Sequence, residues 1–224
     1  MKFFWLVFIF LYFSTPVLAT TWFVEEDGST GFSTIQSAVD VAASGDTIRI
    51  GPGVFDNVHA LPDPYSMDYA TLFVPIEELT IIGAGPDETM IGQDVPYEAN
   101  QGPLKVIVAG ETFGNERFII EDVCIQNAYQ GILFEGGGEM EISNCHFQGT
   151  LRGVFLYSGG ISLSDFVTIE DCLFNNPPED FGSPQHIYSS QQNSLVVRNS
   201  EFEITEIGDS IHAGCSGRQL VGNN

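Results

Sequence analysis

Apolar residues recur at the first, third and eighth positions of an eight-residue segment that returns four times along the chain. The copies are Phe118 to Ile125 (FIIEDVCI), Met140 to Phe147 (MEISNCHF), Val167 to Phe174 (VTIEDCLF) and Leu195 to Phe202 (LVVRNSEF). A fifth opens at Leu220 (LVGNN) and stops with the sequence. The fifth position is Asp or Asn in every copy: Asp122, Asn144, Asp171, Asn199 and Asn224, spaced 22, 27, 28 and 25 residues apart. Short alternating strands at a period in the twenties predict a solenoid. The alternation turns one face inward, and Asp or Asn supplies a tight turn by bonding local backbone and tolerating unusual dihedrals. The expected architecture is a parallel β-helix, each rung burying its apolar face by stacking on the next.

A further strand is predicted after each turn: Gly131 to Glu135, Gly153 to Tyr157, His186 to Ser190 and Ser210 to Gly214. Strict alternation places Ile132, Val154, Ile187 and Ile211 inward, which leaves two outward columns. One is Gly131, Gly153, His186 and Ser210; the other is Leu133, Phe155, Tyr188 and His212. Upstream, Trp22 to Val24 and Thr47 to Ile50 read as strands, with Asp27-Gly28-Ser29 as a polar turn. Between the strands, Ser33 or Thr34 caps a short helix running to about Ala43, with Ile35, Ala38, Val39 and Ala42 on one face. Such a helix suits the open end of a solenoid, whose last rung otherwise exposes core and unpaired strand edge. Two polar inserts, Asp56 to Ala70 and Gln93 to Gln101, interrupt the first rungs.

The run Ser33-Thr34-Ile35-Gln36-Ser37-Ala38, continued by Gly45-Asp46-Thr47-Ile48 and Gly51-Pro52-Gly53-Val54-Phe55, resembles the opening of pectin methylesterases and related right-handed parallel β-helix proteins. Leu79-Thr80-Ile81-Ile82-Gly83-Ala84-Gly85, with Thr89 and Ile91-Gly92, resembles their next rung. The resemblance implies an all-β, right-handed parallel β-helix with an N-terminal capping helix over residues 20–224. It also implies a superfamily that includes esterases, lyases, hydrolases, epimerases and inert surface proteins, so activity has to be argued from the site.

Lys2, the apolar run Phe3 to Phe13 and the small-residue end Val17-Leu18-Ala19 read as a secretory signal over residues 1–19, the run being too short to span a bilayer. The expected product is secreted, extracellular or periplasmic, with no later transmembrane segment. Its removal takes the formal charge from −23 to −24, six basic residues then facing 30 acidic ones. That surface argues against nucleic acid as a partner. Solubility explains the acidity most simply; calcium held by carboxylates is the sharper reading, but no loop of EF-hand spacing is present, and no cofactor is expected. Cys145 and Cys172 share the sixth position of successive copies, Cys124 sits one place later, and Cys215 lies near the end. Stacked thiols and disulfides both remain open, since directly facing residues on parallel strands seldom meet disulfide geometry.

The outward columns hold the densest titratable cluster in the sequence. Successive rungs lie about 4.8 Å apart, which makes Tyr188 and His212 neighbours, with His186 and Asp209 beside them. Tyr and His suit general acid–base work, Asp209 would orient a histidine, and Arg152 would neutralise a substrate carboxylate. Leu133, Phe155 and Tyr157 would extend the face as a platform for sugar rings, and Asn175 to Gln185 would wall a groove. The favoured reading is a carbohydrate-active protein, lyase- or epimerase-like on a polysaccharide. Its rival is a non-catalytic glycan- or protein-binding module, in which the same side chains serve strand stability. The interrupted fifth copy predicts a fragment of a longer protein, or self-association through an open C-terminal rung.

Overall fold

The computed structural model describes residues 18–62, 68–98, 104–157, 166–175, 185–190, 194–203, 209–213 and 219–222. The expected signal peptide therefore lies outside the described residues except for its last two positions, and Cys215 and Asn224 lie outside them altogether. Among the described residues no helix is long and apolar enough to cross a membrane.

The repeats stack as parallel strands. A first sheet runs Thr21–Val24, Asp46–Ile50, Glu78–Ile82, Arg117–Glu121, Glu139–Ser143, Phe166–Glu170, Ser194–Arg198, Gln219–Gly222, each hydrogen-bonded to the next. The third positions form one inward column, Ile48, Ile81, Ile120, Ile142, Ile169 and Val197, all buried. The first positions Phe118, Met140, Val167 and Leu195 form a second. The fifth copy is offset by one from the sequence alignment. Val221 faces Val197, and Gln219 rather than Leu220 occupies the first position.

At the fifth position Asp122, Asn144, Asp171 and Asn199 all have φ between 48° and 59°. That left-handed conformation is one Asn and Asp tolerate better than most residues. The turn side chains also stack, Asn144 Nδ2 donating to Asp122 Oδ1 at 2.6 Å. One rung earlier the turn residue is Gly83, where a Cβ would collide with the Asp122 carbonyl oxygen.

After the turn the chain enters two further sheets, which share the twelve-residue strands Cys124–Glu135 and His146–Tyr157. The second sheet contains Gly53–Phe55, Thr89–Gly92, the beginnings of the two long strands, Leu173–Asn175 and Glu201–Phe202. The third contains Tyr69–Phe73, Leu104–Ala109, the ends of the long strands, Gln185–Ser190 and Asp209–Ala213. Eighth-position residues close the core from the second sheet. Phe147 and Phe174 stack at 4.5 Å and 4° between planes, Phe174 and Phe202 at 4.9 Å and 11°.

The sixth-position column is Val123, Cys145, Cys172 and Ser200. Cys145 and Cys172 are free, buried thiols, each bonding the carbonyl two residues back at 3.2 Å. Cys124 is also free; burial pushes its thiol up to about 11 and raises that of Cys145, so neither of these two is primed as a nucleophile.

The capping helix is shorter than expected, Ile35–Val39, with Thr34 as N-cap accepting from the Ser37 amide. It buries Ile35, Ala38 and Val39 against the first rung. Beside it, the buried Asp46 carboxylate accepts from the Thr20 amide (2.6 Å), the Trp22 indole (2.9 Å) and the Ala43 amide (2.9 Å). Burial works to raise its pKa, but these donors together outweigh it and hold the group below its ordinary 3.8. A depressed carboxylate stabilises the fold above the unfolded pKa and loses that contribution as pH falls through the folded one. Asp46→Ala should therefore cost about 1–3 kcal/mol at pH 7, three partly buried donor contacts losing a charged acceptor. In urea melts the gap between variant and wild type should shrink below pH 4; a gap independent of pH would show that the charge contributes nothing.

Candidate functional site

Two residue columns of the third sheet build its outer face. Strand pairing places Lys105, Gln130, Arg152, Gln185 and Asp209 in one column, one per rung. The other is Phe73, Val108, Leu133, Phe155, Tyr188 and His212. Between them lie two consecutive inward positions: Val106 and Ile107, Gly131 and Ile132, Gly153 and Val154, His186 and Ile187 are all buried. Alternation slips by one here because the chain bends from the second sheet into the third. A corner needs two successive residues directed inside.

That slip corrects the expected place of His186. It is 4% exposed, and its ring packs against Phe174 and Phe202 at 5.7 and 5.8 Å. Burial lowers its pKa, and Nε2 bonds the Glu203 carbonyl oxygen at 2.8 Å. His186 is a core residue and does not share the outer face with Tyr188. The same corner explains its predecessors. A Cβ on Gly153 would lie 2.8 Å from the Phe174 ring, and one on Gly131 3.2 Å from Phe147.

Leu133 is a second correction. It is buried with Leu61, Ala70 and Val108, because the Asp56 to Ala70 insert folds over that part of the sheet. His59–Ala60 pairs antiparallel with Tyr69–Phe73, and Asp68 bonds Lys105 at 2.8 Å. The platform therefore starts one rung later, at Phe155.

There the sequence expectation and the geometry meet. The Tyr188 ring stacks on Phe155 at 4.8 Å and 14° between planes, and Tyr157 stacks on Phe155 at 6.3 Å and 11°. Arg152 brings its guanidinium carbon to 4.9 Å from the Phe155 ring centre, 5.2 Å from Tyr129 and 5.7 Å from Tyr188. A guanidinium over several rings is held by cation–π attraction, about 0.5–2 kcal/mol per contact. Among the described residues no carboxylate pairs with Arg152. Tyr157 is 45% exposed at the edge of the platform. Tyr188 and His212 are direct neighbours in register, and Asp209 pairs with Gln185. The side chains of His212 and Asp209 lie outside what is described, as does most of the Asn175 to Gln185 insert.

Tyr129 and Tyr97 were not singled out by the sequence. Tyr97 belongs to the Gln93 to Gln101 insert and packs on Tyr129 at 6.3 Å, its hydroxyl pKa raised by burial. Gln126 and Asn127 anchor that insert by donating to the Gln93 carbonyl at 3.0 and 2.8 Å. Neither tyrosine recurs with the repeat, so periodicity carried no signal for them. Among the described residues no group of three His, Cys, Asp or Glu is placed to hold a metal ion.

No protein-family model matches the sequence, and no curated protein matches it by sequence. Among solved structures, the chain is similar to a pectin methylesterase from carrot, with a TM-score of 0.52 and 16% identity over 84% of this chain. The match covers 64% of the carrot protein, so the chain spans less than two thirds of that length. Taken with the parallel rungs and the turn ladder, the similarity identifies this chain as a right-handed parallel β-helix protein.

Proposed function

We propose that this is a secreted, carbohydrate-active β-helix protein that binds a polysaccharide along the outer face of the third sheet. The observation that carries the reading is the Arg152 guanidinium set among Tyr129, Phe155 and Tyr188, continuous with the exposed Tyr157. Stacked rings offer flat apolar surface to the C–H faces of sugars, and an oriented guanidinium offers a planar fork to a carboxylate. The fold neighbour is a pectin methylesterase, which supports a polysaccharide as the ligand class. The finer reading is lyase- or epimerase-like. Arg152 would neutralise a uronate carboxylate while Tyr188, its own proton passed to the neighbouring His212, takes the adjacent carbon's proton. The electron pair left on that carbon would then expel the glycosidic oxygen, protonated as it leaves, in a lyase, or be reprotonated from the opposite face in an epimerase.

A binding module without turnover is the second reading. It is favoured by the burial of His186, which removes one of the expected acid–base groups from the face. Incubation with a panel of plant and algal polysaccharides separates the two. New ultraviolet absorbance from an unsaturated product supports eliminative cleavage. Saturable binding with no new absorbance and no epimerised residues by NMR supports the module. Absence of any binding to uronate-containing and neutral glycans alike would remove both.

A further inference from the structure

At the N-terminal end of the third sheet a recess of about 270 Å3 opens between the capping helix, the Phe55 strand end and the start of the Asp56 to Ala70 insert. Ile35 and Phe55, both buried, and the rim residue Val58 give it apolar walls. Two of the residues that line it each carry a buried polar atom without a partner. Thr71 is 4% exposed and its hydroxyl has no hydrogen-bond partner; His59 Nε2 is buried without one. A buried polar group left unpaired costs about 1–3 kcal/mol. The fold does not require it at position 71, since the next rung places Val106 at the same inward position.

The chemistry of the missing partner follows from these atoms. Burial holds the His59 imidazole below its usual 6.5, against a bond to the Asn57 backbone and the charge of Asp40. His59 Nε2 can accept from a hydroxyl or donate to one, according to its tautomer. Thr71 can donate or accept. Asp40 at the mouth disfavours an anion. It also accepts from Gln36 Nε2 at 2.9 Å, and Gln36 is clamped in both directions to the Phe73 backbone, at 3.1 and 2.8 Å. One carboxylate already engaged is no cation site. Hydroxyls on a compact carbon frame satisfy all of these conditions, and the volume equals roughly nine waters at about 30 Å3 each.

We propose that this recess binds a small neutral polyhydroxyl compound the size of one sugar ring, its hydroxyls pairing with His59 Nε2 and Thr71 Oγ1. It lies three rungs from Arg152, about 14 Å along the solenoid at about 4.8 Å per rung, and uses none of that site's residues.

Titration of the protein with glucose, galactose and xylose, followed by the ring signals of His59 in 1H–15N NMR, tests the proposal, with acetate as the anionic control. At least one sugar should give a saturable shift and acetate none. Thr71→Val should weaken that response at least tenfold while raising the sugar-free melting temperature by about 2–4 °C, because it removes an unpaired hydroxyl without changing shape. Silence with all three sugars, an equal response to acetate, or a lowered melting temperature in Thr71→Val would each overturn it.

Discussion

Phe174→Ala is expected to destabilise the protein by about 3–5 kcal/mol, the range for emptying an aromatic site in a packed core. Whole domains are stable by only about 5–15 kcal/mol, so this is a large share. The site cannot collapse cheaply. Phe174 is clasped between Phe147 and Phe202, its edge fills the space that Gly153 leaves, and the His186 ring packs on it. Closing the void would require strands on two sheets to shift, which their hydrogen-bond register opposes. In a solenoid the loss is felt mainly by adjoining rungs, because each repeat contacts only its neighbours. Amide hydrogen exchange should therefore show protection falling in Leu173–Asn175, Gln185–Ser190 and Ser194–Arg198, with the rungs around Ile48 and Ile81 unchanged. Uniform loss across the chain would mean that the solenoid melts as one unit.

The second large effect concerns chemistry at the outer face. On any polysaccharide the protein turns over, Tyr188→Phe and His212→Ala should each reduce kcat by at least about 10²-fold, the lower end of general acid–base contributions. Tyr188→Phe keeps the ring that stacks on Phe155, so it tests the hydroxyl apart from the platform. Arg152→Lys keeps the charge but loses the planar fork and its stacking, and should raise KM more than it lowers kcat. Full activity in both the Tyr188 and His212 variants would remove this pair from the mechanism. Loss of activity accompanied by loss of folded protein would show instead that the columns serve the sheet.

What could be read from the sequence is what repeats once per rung. The turn residues Asp122, Asn144, Asp171 and Asn199 adopt the left-handed conformation their position suggested, and Ile120, Ile142, Ile169 and Val197 line one column, because in a stack each residue faces its own counterpart. Local chemistry and period are enough to specify that much. The fifth copy shows the limit: too short to carry its own register, it is misaligned by one in the sequence, and the strand pairing sets Val221 against Val197.

The functional face was only partly legible, since exposure on it is decided by contacts between distant segments. Phe155 and Tyr188 do meet, as the strand spacing suggested, but Arg152 joins them through cation–π geometry that no spacing rule contains. His186 turned inward because a corner between sheets directs two consecutive residues to the core, which strict alternation cannot express. Leu133 was lost from the face because the insert carrying Leu61 folds across it, and Tyr97 was gained beside Tyr129 because another insert folds back there. His59 had no partner pattern in the sequence at all; only the packing of the insert against the capping helix brings it and Thr71 to a common recess. Periodic residues see the same neighbours in every rung, so sequence determines them. Inserted segments and corners see neighbours chosen by the whole fold, so tertiary structure decides them.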